Sequence, residues 1–76
     1  MLRFNTTEGC HLCDEAWAIL EPIARRRQVA IELVEIMHNP DAEARFAESI
    51  PVVERTDNQQ ILGWPFDTAM VYRFLT

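Results

Sequence analysis

Two cysteines three positions apart, in the segment Gly9-Cys10-His11-Leu12-Cys13, constrain this chain more than any other feature. They lie where a short extended run hands over to the longest helical pattern in the sequence, the layout of a dithiol centre. A thiolate is the reacting species, and the first turn of a helix favours negative charge through unpaired N–H groups and the positive end of the macrodipole. A helix beginning near His11 puts Cys10 at its mouth and Cys13 one turn in. This predicts an exposed, attacking Cys10 and a more buried, resolving Cys13, with His11 as a partly charged neighbour that stabilises the Cys10 thiolate. The alternatives are a structural disulfide, inert thiols or metal ligands. A bridge across so few residues contributes only about 2 kcal/mol in the chain-entropy model, so stapling is a weak reason for it.

The surrounding pattern supplies the frame. Leu2 and Phe4 alternate with Arg3 and Asn5, which predicts an opening strand, and Thr6-Thr7-Glu8-Gly9 breaks it. Leu12, Ala16, Ile19, Leu20, Ile23 and Ala24 then follow helical spacing, with Trp17 on a neighbouring face. Pro22 falls inside this stretch and predicts a bent helix reaching about Arg27. Val29 to Ile36 is rich in β-branched residues and reads as a strand buried on much of both faces. Strand, helix and strand in this order imply a right-handed parallel crossover.

Asn39-Pro40-Asp41 predicts a capped short helix ending near Ser49. Ile50-Pro51-Val52-Val53 opens a further strand, Thr56 to Gln59 forms a turn, and Gln60-Ile61-Leu62 pairs back as a hairpin. After Gly63-Trp64-Pro65, the spacing of Phe66, Ala69, Met70 and Phe74 predicts a last helix from about Phe66. The expected fold is α/β, in the order β-α-β-α-β-β-α, with a four-stranded mixed sheet flanked by helices in one domain over residues 1–76.

Composition removes several function classes. The 76 residues carry twelve acids against seven basic residues, all arginine, for a net charge of -5. Such a surface repels phosphate backbones and anionic lipid, so no nucleic acid or membrane partner is expected. The Arg25-Arg26-Arg27 cluster sits where a helix should end, which suits the helix dipole. No apolar run approaches a membrane span, and the first residues lack a secretory pattern, so a cytoplasmic monomer is expected. In a reducing compartment, an isolated pair of this spacing is more often catalytic or metal-binding than structural.

Gly9-Cys10-His11-Leu12-Cys13-Asp14-Glu15-Ala16 and Ile50-Pro51-Val52 together resemble the short bacterial glutaredoxin-like proteins of the thioredoxin fold, across essentially the whole chain. The resemblance implies thiol-disulfide exchange and a cis Pro51 lying against the cysteine pair. It also implies an Ile50 backbone free to pair with an incoming cysteinyl peptide. Trp64 and Asp67 join Ile50 and Pro51 as expected substrate-binding residues. The partner is then a cysteine-containing protein or a small thiol, with glutathione as a candidate co-substrate and no bound cofactor.

This chain departs from the glutaredoxin pattern at several positions. Glu8 stands where glutaredoxins carry a lysine, the chain has no lysine at all, and the glutathione-gripping turn is reduced to Gly63-Trp64-Pro65-Phe66-Asp67. Asp67 at a helix start could meet the glutathione amine or simply cap the helix, and Arg45 and Arg55 are candidates for a carboxylate. Two other functions stay open at this point: a binding module that kept the fold without turnover, and a metal or iron–sulfur site. Zinc asks for four ligands, and His11 between the cysteines is badly placed to join Cys10, Cys13 and His38 on one ion. No resident metal is expected.

Overall fold

The computed structural model describes all 76 residues. Strand β1 (Leu2–Thr6) leads into helix α1 (His11–Arg26), then β2 (Ile31–Glu35), a single 3-10 turn (Ile36–His38) and α2 (Pro40–Phe46). Strands β3 (Val52–Arg55) and β4 (Ile61–Gly63) and helix α3 (Thr68–Phe74) complete the chain. The four strands lie in the order β2-β1-β3-β4, with β2 parallel to β1 and the other pairs antiparallel. The fold is thus the expected thioredoxin-like mixed sheet with helices.

Alternation along β1 sorts the two faces of the sheet. Leu2 and Phe4 enter the core with Val53, with Cys13, Ala16, Leu20 and Ile23 of α1, and with Phe66 and Val71 from the C-terminal segment. Arg3 and Asn5 point the other way, toward α2, whose Arg45 reaches Glu54 of β3. The long helix is continuous through Pro22. That proline removes one intrahelical hydrogen bond, and the buried Leu20, Ile23 and Ala24 on either side keep the helix in register with the sheet.

Five expectations change in detail, the first being that α2 stops at Phe46 rather than near Ser49, residues 47–49 forming a turn. Leu12 is 45% exposed and does not belong to the core stripe of α1; Cys13 takes that place at 2%. The second strand is shorter than Val29–Ile36 and is not buried on both faces, because it forms an edge of the sheet with Leu33 61% exposed. It ends early because the Glu35 side chain accepts the Met37 N–H at 3.0 Å and caps the 3-10 turn. The ladder of β3 begins at Val52, after Pro51, and the last helix begins at Thr68, with Phe66 buried from the preceding loop.

The register fixes where the site can be. Asn5 of β1 faces Val52 of β3, and Val52 in turn faces Gly63 of β4. The segment after β1, the segment before β3 and the segment after β4 therefore converge on one end of the sheet. Cys10, Pro51 and Trp64 lie in those three segments. The opposite end holds the pairing of Leu2 with Arg55.

Candidate active site

Cys10 is the N-cap of α1, with extended backbone angles and its side chain turned back over the first turn. Its Sγ accepts the Cys13 N–H at 3.1 Å, so a sulfur stands where a serine or aspartate oxygen usually caps a helix. The two cysteines form a disulfide with their Cα atoms 5.2 Å apart. Cys13 is buried among the core residues, while Cys10 is half-buried at the surface. The asymmetry expected from their spacing is present.

The approach to Cys10 depends on Gly9, whose φ of +78° lies in the left-handed region. An added Cβ there would meet nothing within 4 Å, so the demand is on the backbone rather than on space. A neighbour that the sequence reading passed over holds this loop. Glu35, at the end of β2, accepts the Glu8 N–H on Oε2 at 2.9 Å while Oε1 holds Met37. The Met37 N–H, the Thr7 side chain and the Glu8 N–H together keep its carboxyl below the ordinary glutamate value. The signal that could have found it is register: Glu35 pairs with Thr6, the residue at which β1 gives way to the cysteine loop.

His11 is 88% exposed on its side chain, and its Nε2 lies 3.3 Å from Glu15 Oε2, one turn along α1. The structure therefore brings His11 to a carboxylate, and the hydrogen bond to Cys10 Sγ comes from the backbone. His38 is exposed in the 3-10 turn, and no three His, Cys, Asp or Glu side chains gather in a way that could hold a metal ion.

The Ile50–Pro51 peptide bond is cis, and so, unexpectedly, is Trp64–Pro65. Pro51 is buried, and its carbonyl accepts the Trp64 N–H at 3.2 Å, which ties the two proline segments together at the end of the sheet that carries the cysteines. The Trp64 ring meets Phe66 edge-on at 5.1 Å. Ile50 corrects one expectation: its backbone is not wholly free, because its N–H donates to Phe46 O at 3.1 Å. The Ile50 carbonyl accepts no hydrogen bond within the fold.

A sequence model of the Glutaredoxin-like domain family (DUF836) matches residues 1–76. The chain belongs to this family. Among solved structures, the glutaredoxin-like chain is similar to a structural-genomics target protein from X. campestris, at 29% identity and a TM-score of 0.78, covering 99% of this chain and 95% of that one. A protein from Nitrosomonas europaea matches at 24% identity and a TM-score of 0.79, over 99% and 89% of the two chains. Thioredoxin 1 from Thermosipho africanus matches at 20% identity and a TM-score of 0.74, over 97% and 92%, a likeness of fold. No curated protein matches the sequence significantly.

Within this glutaredoxin-like frame, the two arginines considered for glutathione are occupied elsewhere, while Asp67 is engaged through one oxygen only. Asp67 caps α3, its Oδ1 accepting the Met70 N–H at 2.8 Å. Arg45 bonds Glu54 at 3.0 Å on the far face of the sheet. Arg55 lies at the end of the sheet away from the cysteines, where it bonds both oxygens of Asp57 and the carbonyls of Phe74 and Thr76. The Asp57 carboxylate raises the Arg55 pKa, and Arg55 in turn lowers that of Asp57. Both arginines are fasteners of the fold.

Proposed function

We propose that this chain is a dithiol thiol-disulfide oxidoreductase in which Cys10 attacks and Cys13 resolves. The observation that carries the reading is the pair itself: a disulfide at the N-terminus of α1, with one sulfur at the surface and the other in the core. The helix N-terminus and the Cys13 N–H stabilise negative charge on Cys10, while the His11 ring is turned to Glu15.

In the reduced protein, the Cys10 thiolate attacks one sulfur of a client disulfide. The Cys10–client bond forms, the client's own S–S bond breaks, and its other sulfur leaves as a thiolate. Cys13, having released its proton to solvent, then attacks Cys10 Sγ. The internal bridge forms, the mixed disulfide breaks, and the second client sulfur leaves. Two electrons pass from the dithiol to the client, and a thiol donor returns the protein to its starting state. In this scheme Pro51, Ile50 and Trp64 form the surface on which the client lies, with the Ile50 carbonyl accepting a peptide N–H. The cycle suits a reducing cytoplasm and needs no resident metal or cofactor.

The test is equilibration in graded glutathione buffers with mass spectrometry of the intact protein. A reversible internal bridge in the wild type and a trapped adduct on Cys10 in Cys13→Ser are expected. Cysteines that stay unreactive across the range would remove the oxidoreductase reading, and adducts formed preferentially on Cys13 in Cys10→Ser would invert the two roles.

A further inference from the structure

Charge is sorted along α1. At the end that carries the cysteines, Glu8, Asp14 and Glu15 are exposed around Cys10, Glu48 is exposed two residues before Ile50, and Asp67 is exposed beyond Trp64. At the other end, Arg25, Arg26 and Arg27 close α1, Arg73 sits in the last turn of α3, and Arg55 binds the carbonyls that end the chain. Within α1, Asp14 and Glu15 are separated from Arg25 by about 15 Å of helix, nearly two Debye lengths at physiological salt, and Glu8 lies before the helix begins. The remaining arginines, Arg3 and Arg45, lie on the α2 face of the sheet and are held by Glu32 and Glu54. The side chains near the cysteine loop able to carry positive charge are two imidazoles, His11, which Glu15 already meets, and His38, which faces Glu35.

Two features of the same end point to the ligand. The Ile50 carbonyl accepts no hydrogen bond within the fold and can take the N–H of a cysteinyl peptide, while the Ile50 N–H is spent on Phe46. Exposed acids occur in each segment that meets at this end: the loop before α1, α1 itself, the segment before Ile50 and the cap of α3. Glutathione brings two carboxylates against one amine and finds no arginine or lysine there. We propose that the dithiol acts on cysteinyl protein segments carrying lysine or arginine within a few residues of the reacting sulfur, and that its acidic rim selects them over anionic thiols, glutathione included.

The inference rests on the dithiol reading, and its test separates the two. Reduced protein is mixed with three short cysteine peptides, each activated as a mixed disulfide with neutral thiopyridine and flanked by arginine, alanine or glutamate, and release of the thiopyridone is timed. The arginine peptide should react roughly tenfold faster than the glutamate peptide at low salt, with the alanine peptide between them. The gap should close as ionic strength approaches about 1 M, where screening reaches about 3 Å. In Glu8→Gln/Glu48→Gln the ratio of the arginine rate to the glutamate rate should shrink by several-fold, a readout that any common change in the three rates leaves untouched. Equal rates for the charged peptides in the wild type, or a gap that ignores salt, would overturn the charge selection and leave the dithiol reading intact. If none of the three peptides reacts, the dithiol reading fails and the selection with it.

Discussion

The two faces of the sheet are built from the same strands and held by different physics. On the α1 and α3 side, Leu2, Phe4, Val53, Leu20, Phe66 and Val71 pack without a charged group among them. On the α2 side, a row of alternating charge crosses the sheet in register: Glu32 beside Arg3, Arg3 opposite Glu54, and Glu54 met by Arg45 from α2. Asn5 lies within this layer, 1% exposed, donating through Nδ2 to Val52 O and Glu54 Oε1 at 3.2 and 3.3 Å. No buried side-chain nitrogen or oxygen on either face lacks a partner. The dry face gains from the area it removes from water, whereas the polar face gains mainly by not leaving Asn5 and Glu54 unpaired. The cysteines stand on the dry side, where α1 is held most firmly.

The largest expected difference between the faces follows from that. Leu20→Ala, at a position with no exposure on the inner stripe of α1, should cost about 3–5 kcal/mol, a large part of the ~4–11 kcal/mol available to a domain of this length. Urea unfolding measures it. A loss below ~1 kcal/mol would mean that the dry face does not dominate stability.

Glu54→Ala should cost less, roughly 1–3 kcal/mol, because the half-exposed Arg45 regains water while the Asn5 amide keeps Val52 O. A double-mutant cycle with Asn5→Ala should give a coupling of about 0.5–2 kcal/mol, since each single change strands the other's hydrogen bond. Zero coupling would show that the two groups are independently solvated and would erase the contrast between the faces.

The dry face was the more legible in the sequence, and for a physical reason. Burial with period 2 in β1 and period 3.6 in α1 leaves a pattern in residue type, so Leu2, Phe4, Ala16, Leu20 and Ile23 could be placed before any coordinates. So could the cysteine pair at the helix mouth and the Asn39 cap, which accepts the Ala42 N–H. The polar face leaves no such trace, because Arg3, Asn5, Arg45 and Glu54 read individually as surface residues until register brings them together. The second strand misled for a related reason: its composition suggests full burial, but its place at the sheet edge is set by pairing, which composition does not encode. The engagement of the Ile50 N–H was hidden in the same way, since the Phe46 carbonyl that takes it belongs to a neighbouring element.

The smallest effect lies at the rim between the faces and can be separated from the others by pH. Glu35 accepts N–H groups from Met37 and Glu8, and these bonds, with the Thr7 side chain, hold its carboxyl below its ordinary value of 4.5. Because the folded value is the lower one, the ionised group favours the folded state. That contribution is complete above the unfolded value and is lost as pH falls from about 4.5 through the folded value. Asp57, held down by Arg55, adds loss of the same sign at the far end. Glu35→Gln removes the titrating group from the loop before Cys10. The urea midpoints of wild type and variant should therefore differ at neutral pH and converge as pH drops below 4.5. The gap between wild type and Leu20→Ala, which removes no titrating group, should stay nearly constant over the same range. A Glu35→Gln gap that also stays constant would show that its carboxylate does not hold the cysteine loop through charge, and that the Glu8 and Met37 bonds count only for their geometry.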